Sequence, residues 1–203
     1  MWSPMVNEQS DIIDKTDNPP ESENEVFTAT GVFQNDQVLV TGHGASILFN
    51  SGFYGELKNQ ELLILGDVEA TNLIERKRLE IIDEETDSPI PLPEVVSKFA
   101  KLSPNFWIKY LVYKDLRMRG YVVRIGFEEP LMFRVYPRGG QPGKDPAKHF
   151  VAPLPEGTRL ALDTLEHLFA ISLSARKQLI LAVIDRSGDV TYYRAQEIEL
   201  KKI

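Results

Sequence analysis

The chain has 203 residues, enough for one ordinary domain or two small ones. Hydrophobic residues are 42% and charged residues 26%, a soluble globular balance, and the lack of cysteine excludes disulfides, zinc–thiolate sites and cysteine nucleophiles. No apolar run reaches the ~18–20 residues of a membrane helix, and the acidic start carries no basic, apolar-cored leader, so a cytoplasmic protein without a secretory signal or membrane partner is expected.

The net charge of −7 is unevenly spread. Residues 1–25 hold seven acids and one base, Lys15; residues 26–100 hold twelve acids and five bases; residues 101–203 hold eleven acids and seventeen bases. An acidic front is thus joined to a basic body, and a local basic patch rather than the global sum is what attracts phosphates. The same charges also suit an ordinary solvated face.

Residues 1–25, poor in apolar side chains and carrying Pro19-Pro20, read as a disordered acidic tail. Residues 26–83 read as an α+β domain. Strands are expected over 26–30 and 37–40, around a turn at Gln34-Asn35-Asp36. A short helix at Ala45–Phe49 is expected to end at glycine Gly52. A strand over 62–65 leads to a helix capped by Asp67 and running to about Lys77, and 79–82 closes the unit as a strand.

Residues 84–93, acidic and holding three prolines, read as a linker. The rest, 94–203, reads as an α/β domain. Pro93 fits the first turn of a helix through Ala100. Trp107, Tyr110, Leu111, Lys114 and Met118 follow helical spacing from Phe106 to Arg119, stopped by Gly120. Strands are expected over 121–125, 132–136 and 149–152. A helix from Asp163, with Glu166 completing a capping box, should run to about Arg176. The apolar run 178–184 reads as a strand buried on both faces, and the turn at 185–189 returns it as a hairpin through 190–194.

Chemistry-bearing residues are few. His43 lies in a turn and His167 inside a helix, whereas His149 opens a strand after the glycine-rich loop 137–148. Tyr136 ends the strand at the other rim of that loop, on the face shared with Arg134 by alternation, and Lys177 stands between a helix and a strand. Taken singly, each suits a plain structural role: a packing histidine, a rim tyrosine, a cation at a helix C-terminus. No metal-ligand spacing, Walker loop, dinucleotide fingerprint or nucleophile elbow is present, so neither metal nor cofactor is expected.

The run Tyr110-Leu111-Val112-Tyr113-Lys114-Asp115-Leu116-Arg117, then Arg119-Gly120-Tyr121-Val122-Val123, Phe133-Arg134-Val135-Tyr136 and Arg138-Gly139 resembles the archaeal tRNA-splicing endonucleases. So do Ser174-Ala175-Arg176-Lys177 and the stretch from Leu181 to Tyr193. The front half is similar at Ala45–Phe49, Gly52-Phe53-Tyr54-Gly55 and Leu73-Ile74-Glu75-Arg76-Lys77. The order and spacing of these short motifs over about residues 27–195 carry the resemblance.

That resemblance implies an N-terminal α+β domain followed by an α/β nuclease-like domain with a mixed sheet. It implies cleavage of precursor tRNA at a bulge–helix–bulge by a tyrosine, histidine and lysine triad, without metal, leaving 2′,3′-cyclic phosphate and 5′-hydroxyl ends. Carried over, the base is Tyr136 and the electrostatic stabiliser Lys177. The family's histidine stands three residues before an aromatic that begins a strand, a position held here by Ala147. His149 follows two residues later; positions two apart in a strand share a face, so it is expected to serve as the acid, displaced by about 6–7 Å. Arg134, Arg138, Lys144, Lys148, Arg176 and Arg194 are the candidate phosphate contacts. Two cleavage sites per substrate imply a homotetramer, or a heterotetramer with a second subunit type, with Val190–Tyr193 as interface and Asp145 docking on a neighbour. A non-catalytic structural subunit of the same assembly is the alternative.

Overall fold

The computed structural model describes residues 27–128 and 131–196; the expected acidic tail, 1–25, lies outside the described residues. The N-terminal part runs β1 (Ala29–Gln34), β2 (Gln37–Thr41), α1 (His43–Gly52), β3 (Glu56–Lys58), β4 (Leu62–Leu65), α2 (Asp67–Glu75) and β5 (Leu79–Ile82). Next come α3 (Leu92–Leu102) and α4 (Phe106–Met118). The second sheet and its helix are β6 (Val122–Glu128), β7 (Leu131–Tyr136), β8 (His149–Pro155), α5 (Leu162–Ser174), β9 (Gln178–Ile184) and β10 (Val190–Ala195).

The first sheet has the order β3-β4-β2-β1-β5 and the second β10-β9-β8-β7-β6. Both are mixed: β1 pairs parallel with β5, and β8 parallel with β9, while their other pairings are antiparallel. The expected architecture, an α+β unit followed by an α/β unit with a mixed sheet and one crossover helix, is the one found. Among the described residues no helix is long and apolar enough to cross a membrane.

Several element ends differ from the sequence reading, each for a local reason. β1 is displaced toward its hairpin: Gln34 pairs with Gln37, and Asn35 and Asp36 make the two-residue turn with φ of 49° and 62°. Positive φ at both positions is what a tight hairpin requires, and Asn and Asp tolerate it. At the end of α1 the left-handed residue is Phe53 (φ 53°), not a glycine. Gly52 serves space instead, because a Cβ there would lie 2.4 Å from the Tyr54 ring and 2.6 Å from the Arg117 guanidinium. Asp67 is not the cap of α2; Gly66 is, and the Glu69 carboxylate accepts the Gly66 N–H at 3.2 Å. The expected capping box of α5 is also absent: Ala161 is the cap, and Asp163 accepts the N–H of its neighbour Thr164.

The 84–93 segment folds back on β5. Asp83 accepts the N–H groups of Glu85 and Thr86, and Ile82 bridges Pro89. β9 is less enclosed than its apolar run suggested. Leu179, Ala182 and Ile184 are buried, but Ile180, Leu181 and Val183 only partly so, since β9 lies one strand from the sheet edge.

Helix α4 holds the two halves together. One side packs on the second sheet, where Val112, Tyr113 and Leu116 join Val123, Phe133, Val135 and Val151 in the main core. Its other side meets α2: Tyr110 donates a hydrogen bond to Glu75, and Lys114 pairs with the same carboxylate at 2.6 Å. Burial works against ionising Glu75, but those two hydrogen bonds outweigh it and hold its pKa below the ordinary value.

Gly55 shows how little slack this packing has. Its φ is +60°, and a Cβ would stand 2.4 Å from the Ile64 carbonyl oxygen, a backbone atom that cannot step aside. Gly55→Ala is expected to lower unfolding free energy by about 1–3 kcal/mol, read as a lower urea midpoint at unchanged m-value.

Candidate functional site

Residues paired across neighbouring strands share a sheet face. The strand register therefore sorts the candidate residues. Val123, Val135, His149 and Gln178 form one row across β6, β7, β8 and β9. Ile125, Phe133, Val151, Ile180 and Arg194 form the next row on that face, which α4 covers. Arg124, Arg134, Phe150 and Leu179 belong to the opposite face, as does Tyr136 opposite Val122. There α5 packs Leu168 against Phe150, Ala152 and Leu179.

Tyr136 is buried in a small cluster with Val122 and Ala147, against Phe53 from the end of α1. Lys177 enters the same side by another route. Helix α5 ends with a two-bond cap in which Arg176 N–H reaches Leu173 O (2.9 Å) and Lys177 N–H reaches Ser172 O (2.8 Å). Arg176 takes the left-handed conformation usually given to glycine (φ 55°) and stays exposed, so the chain turns directly into β9. Lys177 is half-buried and lines a cleft of about 730 Å³ with Ser172, Leu173, Gln178 and Arg194. Between the two strands runs Lys148, whose N–H donates to Val135 O and whose carbonyl accepts from Gln178 N–H. Tyr136 and Lys177 are thus two strands apart, about 10 Å at the backbone.

His149 does not join them. It lies on the α4 side, in a cavity of about 200 Å³ walled by Leu116, Val135, Val151 and Ile180, with Arg119, Tyr121 and Tyr192. The expected sharing of a face between positions 147 and 149 does not hold because Ala147 precedes β8, in an irregular segment where strand alternation has no force. The His149 Nδ1 is shut from water without a hydrogen-bond partner. Burial first, then the positive charges of Arg194 and Lys148, push its pKa below 6.5. The shift favours the neutral imidazole over the imidazolium that a general acid would use.

The candidate phosphate contacts scatter. Arg138, Lys144, Lys148, Arg176 and Arg194 are exposed, but Arg134 faces the junction of the two halves and donates to Ile125 O. Asp145 accepts the Gln141 N–H at 2.8 Å and so shapes the glycine-rich loop. Two groups went unnoticed in the sequence. Asp115 accepts hydrogen bonds from Arg119 Nε and Tyr192 Oη, both at 2.6 Å, which fixes the walls around His149. Glu69, almost fully buried, accepts N–H bonds from Gly55 and Gly66 with Arg124 and Arg117 nearby; burial raises its pKa despite them. The i,i+4 spacing of Asp115 and Arg119 was a readable signal; the role of Glu69 was not, since its partners are distant backbone groups.

Residues 29–94 match the family model described as tRNA intron endonuclease, N-terminal domain, and residues 106–192 match tRNA intron endonuclease, catalytic C-terminal domain. The tRNA-splicing endonuclease of Thermococcus gammatolerans is 35% identical over 173 residues, covering 84% of this chain and 96% of that protein. The chain belongs to the tRNA intron endonuclease family. The tRNA-splicing endonuclease of Methanococcoides burtonii is 36% identical over 166 residues, and that of Methanosarcina acetivorans 36% over 160. Those matches cover 82% and 79% of this chain but 46% and 44% of the relatives, so the chain spans about half their length.

Within this family member the electrostatics of His149 are directly measurable. A base whose folded pKa is depressed binds fewer protons when folded, so stability is full above pH 6.5 and falls as pH drops through 6.5 toward the folded pKa. An NMR titration should place the His149 midpoint below 6.5, and Arg194→Ala should move it upward.

Proposed function

We propose that the chain is the supporting subunit of a tRNA-splicing endonuclease that cuts precursor tRNA at bulge–helix–bulge boundaries. The observation that carries this reading is the separation of Tyr136 and His149 onto opposite faces of the second sheet, with Ala147 occupying the place beside Tyr136. The chemistry calls for a base on the 2′-hydroxyl, an acid on the 5′-oxygen and a cation on the charged phosphorane. Tyr136 and Lys177 supply two of these on one side of the sheet. The third is a methyl group at Ala147, and His149 lies on the other face, where burial and nearby cations disfavour its charged form.

In this reading a second subunit type carries the complete triad. That partner forms the 2′,3′-cyclic phosphate and 5′-hydroxyl ends, and no metal enters the reaction. The present chain holds the two active sites at their separation in a heterotetramer and contributes phosphate contacts from Arg138, Lys144, Lys148, Arg176 and Arg194. The exposed ring of Tyr193 on edge strand β10 supports a subunit interface there.

The test is cleavage of a bulge–helix–bulge RNA in EDTA. The chain alone should leave the RNA intact, and cleavage should appear when the partner subunit is added. Ala147→His, which returns an imidazole to the neighbourhood of Tyr136, should raise cleavage by the chain alone by about 10²-fold or more, the usual range of a general acid. His149→Ala should leave cleavage by the two-subunit assembly in place. Cleavage by the unmodified chain that disappears on His149→Ala would instead establish self-sufficient catalysis and end the supporting-subunit reading.

A further inference from the structure

Helix α4 leaves a stripe of apolar side chains on its outer side. Trp107, Leu111 and Met118 stand at i, i+4 and i+11. In a helix of 3.6 residues per turn these positions fall within about 40° of one another. Tyr110, Val112, Tyr113 and Leu116 fill the core from the other side. Trp107 is 51% exposed and Met118 74%, while Leu111 lies partly buried against the turn at Gly188. Single exposed apolar residues are ordinary, but a tryptophan and a methionine aligned along one helix form a surface that usually has a partner.

The stripe is flanked on both sides. On one side stands the end of α2, where Glu75 accepts from Tyr110 and Lys114. On the other stand the β9–β10 turn at Gly188 and Tyr192, whose hydroxyl reaches Asp115. Lys114 and Arg119, each paired with one carboxylate yet still partly open to water, put positive charge along it.

The described residues begin beside this surface. Phe27 is exposed, and the Thr28 hydroxyl donates to Lys77 O at 2.9 Å, two residues beyond Glu75. The six apolar side chains of residues 1–25 all fall within the first thirteen positions. Trp2, Met5, Val6, Ile12 and Ile13 recur at spacings of three, four and seven, and the acids Glu8, Asp11 and Asp14 fall among and after them. Thirteen residues, 14–26, separate this group from Phe27. They span at most about 45 Å when extended, against about 20 Å for the whole of α4.

We propose that residues 2–13 of this chain dock on the α4 stripe, with their apolar side chains against Trp107, Leu111 and Met118 and their acids toward Lys114 and Arg119. Opposite charge draws the two together: residues 1–25 hold seven acids and one base, and residues 101–203 hold seventeen bases and eleven acids. A tether of this length gives the segment an effective concentration on the order of millimolar, which favours it over an occupant from free solution. Apolar anchors at these spacings laid along a helix are a recurrent mode of recognition. The docked segment covers the stripe and keeps α4 from associating with other chains. This inference does not depend on the supporting-subunit reading.

The chain has two tryptophans, Trp2 and Trp107, one on each side of the contact, so either can be read alone. In the full chain carrying Trp2→Phe, acrylamide quenching reports access to Trp107. Ile12→Asp combined with Ile13→Asp should raise the quenching constant about twofold, because a cover is lifted from a half-exposed ring. Met118→Glu, at an exposed position, should do the same from the opposite side, and the combined variant should gain nothing further because both break one contact. In the converse background, Trp107→Phe, the emission of Trp2 should move to the red on Met118→Glu.

Quenching and emission that ignore all of these substitutions would overturn the inference. Shielding of Trp107 that grows with protein concentration would overturn it in favour of a second copy's segment. Shielding that appears only when the partner subunit is added would overturn it in favour of an interface with that subunit. Cleavage of bulge–helix–bulge RNA with the partner subunit, measured on the same variants, should stay unchanged; absence of cleavage by the unsubstituted pair would count against the supporting-subunit reading and leave the docking result intact.

Discussion

Arg117 sets the relation between the two halves of the molecule. Its guanidinium lies 4.1 Å from the centroid of the Tyr54 ring and donates to the Gly52 carbonyl at 3.0 Å and, more distantly, to that of Tyr121. A cation withdrawn from water is tolerable only where carbonyl oxygens, an aromatic face and an opposite charge replace its hydration. The carboxyl nearby is Glu69, buried between Gly55 and Gly66, where the positive charges of Arg124 and Arg117 offset part of the burial that raises its pKa. Arg124 repeats the device one element later by donating to the Phe53 carbonyl. Removing either partner would leave a charge stranded, so α4 and β6 have one place to sit against the end of α1. That place brings Phe53 down on Tyr136. The surroundings of Tyr136 are therefore fixed by the junction between the two domains as much as by the sheet that carries it.

This explains which parts of the structure the sequence discloses. Strands and helices with strong periodicity are legible: the hairpin of β9 and β10, α4 with its Gly120 stop, and the Asn35-Asp36 turn all follow from local rules. The helix ends are less so. Phe53 and Arg176 take left-handed conformations without being glycine, because tertiary contacts need the chain to turn where those side chains stand. Gly52 reads as a helix stop but is small because Tyr54 and Arg117 crowd it. Nothing local marks Glu69, in the first turn of α2, and only the fold shows that it is buried against two backbone donors.

The candidate site shows the same division. Tyr136 and Lys177 each stand at the end of a regular element, so their places in the chain were legible. His149 was misplaced by a rule with a limited reach. Alternation relates residues within a strand, and β8 begins at His149 itself. Whether position 147 and position 149 share a face depends on the path of the loop before the strand. Here the loop tucks the Ala147 methyl under Tyr136, while the register with Val135 turns the imidazole to the α4 side.

The surroundings of His149 differ from those a general acid needs. A general acid must be protonated near neutral pH, which favours exposure or a neighbouring carboxylate. His149 has the reverse: burial and two nearby cations, conditions that suit a neutral ring able to accept or donate one hydrogen bond. Those cations repel an imidazolium yet attract a phosphate. The same local field disfavours the imidazolium that a general acid needs. The methyl group beside Tyr136 and the imidazole on the opposite face are two outcomes of a single loop path.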